Sequence, residues 1–387
     1  MTLVEVKDKK TKEAFRKVPF LIYKSDPHFI AHIRQDIEKI FDQGSNKLLR
    51  SGKAIRWVVL NDLNEPVGRV AAFIHPTMND SSPYPVGGMG FFESIDDKNV
   101  AFRLFDACRD WLADQGFQAM DGPINLGERD KYWGLITENF DLRPHYGQNY
   151  NPAYYVKFFE DYGFQVRFDQ FIYYRKVDQP LENTFRLRAE RLEKDASYSC
   201  HHIQLSNIEV HTEEFRTVYN RAWAIHKGFK KMSGMQARAI IGQLKPVIDE
   251  RLIWFAYYDN KPIGFYMGLP ELNEVFAKVG DNLNLWGKLK FMIAKKFHSF
   301  HSSFGVVFGV DPDFQGKGVE GYIFQHMANE IQKKKLYKGI TITWIGDFNA
   351  KMIRIVESLG SEKVRTLTTY RKPFDEKVRV ERVKELA

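Results

Sequence analysis

The sequence is poor in cysteine and has no long apolar run. Its 387 residues include two cysteines, Cys108 and Cys200, which stand far apart and form neither a disulfide framework nor a metal-ligand spacing. No stretch reaches the roughly 18 apolar residues that span a bilayer, and the first residues lack the apolar core of a signal peptide. These absences predict a protein of the reducing cytoplasm, without a metal centre.

The histidines do not change that expectation. His201-His202 and the pair His298 and His301 have no acidic or cysteine neighbours at the spacing that metal ligands need. The chain is nevertheless rich enough in apolar residues, at 44%, to bury a substantial core, and it is long enough for two domains.

The most informative stretch, residues 304–330, has the order strand, glycine-rich turn, helix. Residues 306–310 form a short run of β-branched and aromatic residues, typical of a buried strand. Residues 311–313 (Asp-Pro-Asp) end it, residues 315–318 form the turn, and a helical pattern follows from Tyr322. Such a turn can hold phosphate, because exposed backbone N–H groups and the positive end of the helix dipole converge on the anion.

At these residues the chain resembles the GNAT superfamily of acyl-CoA-dependent N-acyltransferases. The family's pyrophosphate loop reads Gln or Arg, two residues, Gly, one residue, then Gly or Ala. Gln315 and Gly318 match it, and Glu320 stands at the second small residue. Val310, Pro312 and Phe314 match the usual lead-in, and the next strand, an Asn-opened helix and a closing strand follow at 340–345, 349–360 and 364–370.

The resemblance implies acetyl-CoA or another acyl-CoA as acyl donor, with an acyl carrier protein as an alternative and no metal. Lys317 either adds charge or points into solvent, and Asn349 either contacts the pantetheine arm or caps its helix. The residues implied for cofactor binding are Val310, Gln315, Gly316, Lys317, Gly318, Val319, Gly321 and Asn349.

The first half repeats the order of elements of the second half without the phosphate loop, because Asp96-Asp97, which begin the helix at 96–116, occupy its place. A hairpin about 61–66 precedes that helix, and an Asn-opened helix follows at 151–164. The sequence therefore predicts an α/β (α+β) fold of two tandem GNAT-like domains, each a mixed, mostly antiparallel central sheet flanked by helices. The expected parts are an N-terminal domain at 1–177, a linker at 178–199 and a C-terminal domain with the acyl-CoA loop at 200–387.

Candidates for catalysis lie in a loop region near residues 122–155, which is dense in Asn, Glu, Tyr and Gly, and such loops tend to carry function. For each candidate a purely structural role is the alternative. Val356 takes the place of the family's usual tyrosine acid, so the leaving thiolate would take its proton from water or from another residue, with Tyr322 and Tyr370 as the candidates. The candidates on the acceptor side are Glu128, Glu138, His145 and Tyr150.

The same loop contains Gly-Pro-Ile-Asn and, later, Asn-Pro-Ala-Tyr-Tyr. These motifs resemble a group of bacterial tandem GNAT-like proteins, some of whose relatives are N-acyltransferases of the bacterial ceramide synthase type. The resemblance implies a small-molecule or lipid-like amine as acceptor.

Residues 273–300 form a basic amphipathic excursion where the fold calls for a short turn. It is interpreted as a lid or a membrane-surface contact, or as a helix packed on its own domain. The net charge of +8 suits acyl-CoA or anionic lipid, and no nucleic-acid partner is expected because no such module is present. A cytoplasmic protein, peripheral at the inner membrane face, fits these features.

Three functions remain open. The leading hypothesis is an acyl-CoA-dependent N-acyltransferase that acts on a primary amine. A non-catalytic acyl-CoA or lipid binding protein is favoured by Glu320 and Val356. An aminoacyltransferase of the related tandem fold is permitted by the positive charge.

Overall fold

A computed structural model describes residues 1–76, 82–127, 129–224, 229–375 and 377–383. In this part of the chain, thirteen strands form one sheet, with helices against it. The strands are β1 (Thr2–Glu5), β2 (Lys53–Leu60), β3 (Pro66–Ile74), β4 (Val86–Ser94), β5 (Ala119–Gly122), β6 (Leu135–Ile136), β7 (Gln165–Lys176), β8 (Tyr198–His202), β9 (Ile253–Tyr258), β10 (Lys261–Pro270), β11 (Ser302–Val310), β12 (Gly339–Gly346) and β13 (Glu362–Pro373). The helices are α1 (Lys9–Ile22), α2 (Arg34–Ile40), α3 (Lys98–Asp114), α4 (Tyr154–Tyr162), α5 (Asn183–Glu193), α6 (Ile208–Trp223), α7 (Gly234–Leu244), α8 (Asn273–Val279), α9 (Leu285–Phe297), α10 (Val319–Lys334) and α11 (Ala350–Ser358).

The strand order confirms the predicted mixed, mostly antiparallel architecture. It runs β1-β2-β3-β4-β5-β13-β7-β12-β11-β10-β9-β8, and β6 pairs with β13. Two neighbouring pairs are parallel, β4 with β5 and β11 with β12, one in each half of the chain. Among the helices of the described ranges, none has the length and apolar composition that crossing a bilayer requires.

The closing strands of the two halves are exchanged. β13, the last strand of the second half, pairs with β5 of the first half, so that Tyr370 lies opposite Gly122. β7, the last strand of the first half, pairs with β12, so that Arg175 lies opposite Ile340. β7 and β13 also pair with each other. Each half is therefore completed by a strand that lies beside the other half.

The segment predicted as a linker contains α5, which packs against α10. Phe185, Ala189 and Leu192 on α5 are buried in the core of the second half. The boundaries 1–177, 178–199 and 200–387 stay a prediction, but α5 contributes to the second half and does more than connect.

Separate expression of residues 1–177 and 200–387 tests how independent the halves are. We expect neither fragment to unfold cooperatively, because the first lacks β13 and the second lacks β7 and α5, and each would expose strand edges and core side chains. Thermal unfolding followed by circular dichroism would check this against the full chain. A fragment that unfolds cooperatively on its own would contradict it.

The predictions of local structure were confirmed where the residues that carry the signal are contiguous in the sequence. The predicted helix at 96–116 is α3, and the Asp97 side chain caps it by accepting a hydrogen bond from the Asn99 N–H. The hairpin about 61–66 joins β2 and β3. The excursion at 273–300 forms two helices, α8 and α9.

Candidate functional site

An open wedge separates β11 and β12 in the second half. The two strands pair side by side from Ser302 opposite Gly339 to Gly305 opposite Ile342. Beyond Gly305, β11 keeps its pairing with β10 as far as Val310 but has no registered partner on β12. Parted parallel strands leave backbone groups along the β11 edge available to a ligand.

A cleft of about 250 Å³ lies at this wedge, between β11, the glycine-rich loop, the first turns of α11 and the end of α6. Four of the predicted cofactor residues line it: Val310, Gln315, Gly316 and Asn349. Asn349 also caps α11, because its Oδ1 accepts a hydrogen bond from the Met352 N–H (3.1 Å). The position of Asn349 is therefore compatible with both predicted roles, contact with the pantetheine arm and capping of α11.

The loop presents a group of free backbone donors at the start of α10. Gly318 is the N-cap of this helix, with φ of 92° in the left-handed region that favours glycine. In the described chain, no hydrogen bond is made by the N–H groups of Gly316, Gly318, Val319, Glu320 and Gly321. Unpaired N–H groups at a helix N-terminus are suited to an anion.

The remaining loop residues contribute backbone rather than side chains. Val319 and Gly321 are buried, and a Cβ on Gly321 would lie 3.1 Å from Arg188. The Lys317 ammonium lies 4.8 Å from the centre of the Phe314 ring. Its carbonyl accepts a hydrogen bond from Arg191.

The charge of the cleft is set by Glu320 and by two cations that the sequence analysis missed, Arg188 and Lys351. Glu320 lines the cleft, and Arg188 of α5 lies 3.7 Å from its carboxylate. Lys351 lines the opposite wall and donates a hydrogen bond to Gln315 Oε1 (2.8 Å). The repulsion expected between Glu320 and a pyrophosphate is thus offset by a cation from the predicted linker. No local signal marked Arg188, since it is 132 positions from Glu320 in the sequence.

Removing that cation should weaken binding of an anionic ligand. We expect Arg188→Ala to lower CoA affinity about fivefold, the upper range for a partly exposed ion pair, because Glu320 loses its counter-charge. Arg188→Ala combined with Glu320→Gln should recover the affinity in calorimetric titrations with CoA. Arg186→Ala, on the same helix and paired with Glu190, is the control. A double variant as weak as Arg188→Ala alone would contradict the explanation.

In the first half the corresponding wedge is filled by the chain itself. β6 lies in this wedge and pairs with β13. Asn151 binds the backbone of Ile136 on β6 through two hydrogen bonds: its Oδ1 accepts from the Ile136 N–H (2.8 Å), and its Nδ2 donates to the Ile136 carbonyl (3.1 Å). Two cavities nearby measure about 40 and 20 Å³, room for about one water molecule each. Both cavities are much smaller than the cleft of the second half.

Comparisons with known proteins agree with this architecture. No family model matches the chain. Protein YghO of Escherichia coli (strain K12) is 23% identical over 368 residues, covering 93% of this chain and 92% of that protein. A bacterial ceramide synthase of Caulobacter vibrioides (strain NA1000 / CB15N) is 23% identical over 381 residues, covering 96% and 97%. A tandem GNAT protein from the clavulanic acid biosynthesis pathway superposes with a TM-score of 0.53 at 10% identity, covering 96% of this chain and 98% of that chain.

The chain has a tandem GNAT fold.

One catalytic candidate of this GNAT fold joins the two halves. His145 Nδ1 lies 2.5 Å from Oε2 of Glu271, which directly follows β10. Glu271 also accepts hydrogen bonds from the N–H groups of Tyr146 (3.1 Å) and Asn273 (2.9 Å), and its own N–H donates to the Ser302 carbonyl at the start of β11. The His145 imidazole is therefore oriented by a buried carboxylate of the second half.

His145, Glu138 and Tyr150 are not among the residues that line the cleft. Glu138 is partly exposed and pairs with Thr366 and Lys363, contacts that lower the pKa of its carboxyl, the Thr366 hydrogen bond most. Tyr150 donates a hydrogen bond to Asp26 (2.7 Å) and lines the small cavities of the first half. Glu128 lies outside the described residues.

None of the expected sources of a proton for the thiolate lines the cleft. Tyr370 is buried in the core of the first half against Phe159, because β13 crosses into that half. Tyr322 is buried in the core of the second half. Burial raises the pKa of both tyrosines to about 12. Val356, on the inner face of α11, is fully buried and offers no proton.

A buried ion pair lies beside the filled wedge of the first half. Arg69 and Glu93 are 3.5 Å apart, and the hydroxyls of Tyr23 and Tyr155 donate hydrogen bonds to Glu93 (2.7 and 2.9 Å). Burial raises the pKa of Glu93 and lowers that of Arg69. Nearby, burial lowers the pKa of His32 to about 4. The pair connects α1, β3, β4 and α4, which is a structural role.

One histidine cluster within the described residues approaches the spacing of metal ligands. Ligand atoms of Glu274, His298 and His301 lie within 4.8 Å of one another. Glu274 already accepts hydrogen bonds from His298 Nε2 (2.8 Å) and from the N–H groups of His301 and Ser302. Burial would raise the pKa of Glu274, but these bonds outweigh it and lower that pKa. These contacts give the cluster a structural role, because they connect α8 and α9 to β11.

Proposed function

We propose that the protein is an acyl-CoA-dependent N-acyltransferase whose acceptor is a primary amine with a long-chain, lipid-like body. The observation that carries the proposal is the cleft of the second half, where free N–H groups at the start of α10 meet the open edge of β11. The similarity to a bacterial ceramide synthase supports a long-chain amine as acceptor, since a ceramide is an N-acylated long-chain amine.

The residues of the cleft fit an acyl-CoA. When bound, it supplies an acyl group activated as a thioester. The N–H groups of Gly316 and of residues 318–321 would hold its pyrophosphate, with Lys351 as a nearby cation and Asn349 beside the pantetheine arm. The β11 edge left uncovered by β12 carries backbone donors for the oxygen of the acyl carbonyl. A small molecule held this way is oriented mainly by backbone.

His145 is the base that we propose for the acceptor amine. Its Nδ1 is engaged by Glu271, while its Nε2 makes no hydrogen bond within the described residues, an arrangement that holds one nitrogen ready to accept a proton. In the transfer, a carbon–nitrogen bond forms and the carbon–sulfur bond breaks. The amine proton goes to His145, and the sulfur takes a proton from water because Val356 cannot supply one.

A non-catalytic acyl-CoA binding protein is the second candidate. It is favoured by the full burial of Val356 and by the position of Tyr322 and Tyr370 outside the cleft. Both candidates bind an acyl-CoA, but only the N-acyltransferase turns it over.

Mass spectrometry of co-purified molecules, followed by thermal shifts with an acyl-CoA chain-length series, tests both. A ligand at 100 times its Kd stabilises the folded state by about 2.7 kcal/mol, which moves the unfolding midpoint by several degrees. We expect such a shift, and then release of free thiol when a long-chain primary amine is added. A shift without thiol release from any such amine would identify a binding protein. No shift with any acyl-CoA would overturn both candidates.

A further inference from the structure

The apolar side chains of α9 point away from the protein. Gly287 is the one buried residue of this 13-residue helix. Six large apolar residues are exposed, three of them strongly: Leu285 (86%), Trp286 (71%), Leu289, Met292, Ile293 and Phe297 (80%). Single exposed apolar residues are ordinary on a protein surface, but a contiguous group marks an interaction site.

These residues lie on one face. At about 100° per residue, the six side chains fall within an arc of about 140°. The opposite face packs on the protein: Phe291 stacks on Phe276 with ring centres 5.0 Å apart, and the backbone of Asn282 approaches Gly287 so closely that a Cβ there would lie 1.8 Å from its carbonyl oxygen. These contacts hold the exposed apolar face of α9 away from the protein.

Lysines accompany the apolar face. By the same geometry Lys288 and Lys290 lie at its two edges, and Lys296 lies within it near the end of the helix. Lys295 is committed elsewhere, since it donates a hydrogen bond to the Pro246 carbonyl. An apolar face with cations at its margins complements the interfacial region of an anionic bilayer, where apolar groups enter the acyl boundary and cations meet the head groups.

We propose that α9 docks the protein on an anionic lipid surface. The helix is held at both ends: Asn284 caps it by accepting from the Gly287 N–H (2.9 Å), and Glu274 binds His298 immediately after it. The chain then enters β11 at Ser302, where Glu274 accepts the backbone N–H (2.8 Å). Docking is thus transmitted to the first residue of the strand that forms the cleft.

The position of α9 also suggests how a lipid-like acceptor would arrive. This step rests on the proposed function. β11 begins beside α9 and ends at the glycine-rich loop. It is nine residues, or about 30 Å, long. His145 and Glu271 lie at the α9 end, because Glu271 binds Ser302. A membrane-borne amine would approach from that end, and the water-borne donor from the other.

Vesicle flotation tests the docking without CoA or amine. The proteins are the wild type, a Lys288→Gln/Lys290→Gln/Lys296→Gln variant and a Trp286→Ser/Met292→Ser/Phe297→Ser variant. Leu63→Ser/Val210→Ser/Met235→Ser is the matched control, since these residues are equally exposed (78%, 59% and 77%) but lie on other elements. Vesicles contain phosphatidylcholine alone or with about 30% phosphatidylserine, an anionic lipid of the cytoplasmic leaflet. Equal unfolding midpoints would show that the variants are folded.

We expect the wild type and the control to float with anionic vesicles. The lysine variant should bind these vesicles about 100-fold more weakly, at about fivefold per lysine, and added salt should weaken the wild type. The serine variant should not float on either lipid. Equal flotation of all four proteins, or none on anionic vesicles, would overturn the proposal. So would a dimer in solution that the serine variant dissociates, because a second copy would then cover the face. Flotation without thiol release would support docking and count only against the proposed function.

Discussion

Gly316→Asp is expected to reduce CoA affinity about a thousandfold. Gly316 lines the cleft with φ of 74°, and the space where its Cβ would stand is open to 4 Å. The new carboxylate would therefore fit, and would stand beside the pyrophosphate. Two like charges about 4 Å apart near a protein surface repel by about 4 kcal/mol, which corresponds to about three orders of magnitude in Kd. Isothermal titration with CoA measures the loss.

Gly360→Asp is the matched control for that variant. Gly360 has the same φ of 74° and equally open space around its Cβ, but it follows α11 and does not line the cleft. Backbone strain is therefore the same in both variants, and only the position of the charge differs. Equal loss of affinity in the two variants would assign the effect to strain. Retained affinity in Gly316→Asp would show that the anion binds elsewhere.

His145→Ala is expected to lower kcat by about 10²–10⁴, the usual contribution of a general base, with little change in KM for the acyl donor. The hydrogen bonds of Glu271 to the N–H groups of Tyr146 and Asn273 do not involve the imidazole and should hold the loop in place. Steady-state kinetics with an acyl-CoA and a long-chain amine would measure the change. Added imidazole should restore part of the rate, a result that loss of a structural side chain would not produce.

Glu138→Gln is the companion variant, because Glu138 was an equal candidate by sequence. Its carboxylate pairs with Lys363 and Thr366 at the β13 edge, so we expect near wild-type turnover. A loss in Glu138→Gln as large as that in His145→Ala would refute the assignment. So would a His145→Ala variant that imidazole does not rescue.

The parts of the site that could be predicted are those encoded by neighbouring residues. The strand that ends at Val310, the turn at 315–318 and the cap at Asn349 each have a local signal: an apolar run, a group of glycines and an asparagine before a helical pattern. All three occupy the expected places. The loop of the second half was therefore found without knowledge of the tertiary structure.

The parts that could not be predicted depend on which strand pairs with which. A strand pattern shows that residues 362–373 are paired but carries no information on the partner. Tyr370 was expected near the thiol and instead lies in the core of the first half, because β13 pairs with β5. Glu271 and Arg188 meet their partners His145 and Glu320 across more than a hundred positions. No spacing in the sequence reports such contacts.

For α9, the hydrophobic periodicity predicted only part of what the structure shows. The spacing of apolar and basic residues predicts a two-faced helix, and α9 has two faces. The same spacing does not tell whether the apolar face points inward or outward. In the structure it points outward, because Gly287 and Phe291 make the contacts with the protein.

The exchange of closing strands also sets the order in which the chain can mature on the ribosome. β5 is complete at Gly122, but the strand that lies between it and β7 begins at Glu362. At about 5–20 residues per second, roughly 10–50 seconds of synthesis separate the two. For most of that interval the first half has an unfilled place in its sheet, although its own residues, which end with β7 at Lys176, have been made. The two halves therefore finish together once β13 has been made, and a chain truncated before Glu362 leaves the earliest-made half incomplete.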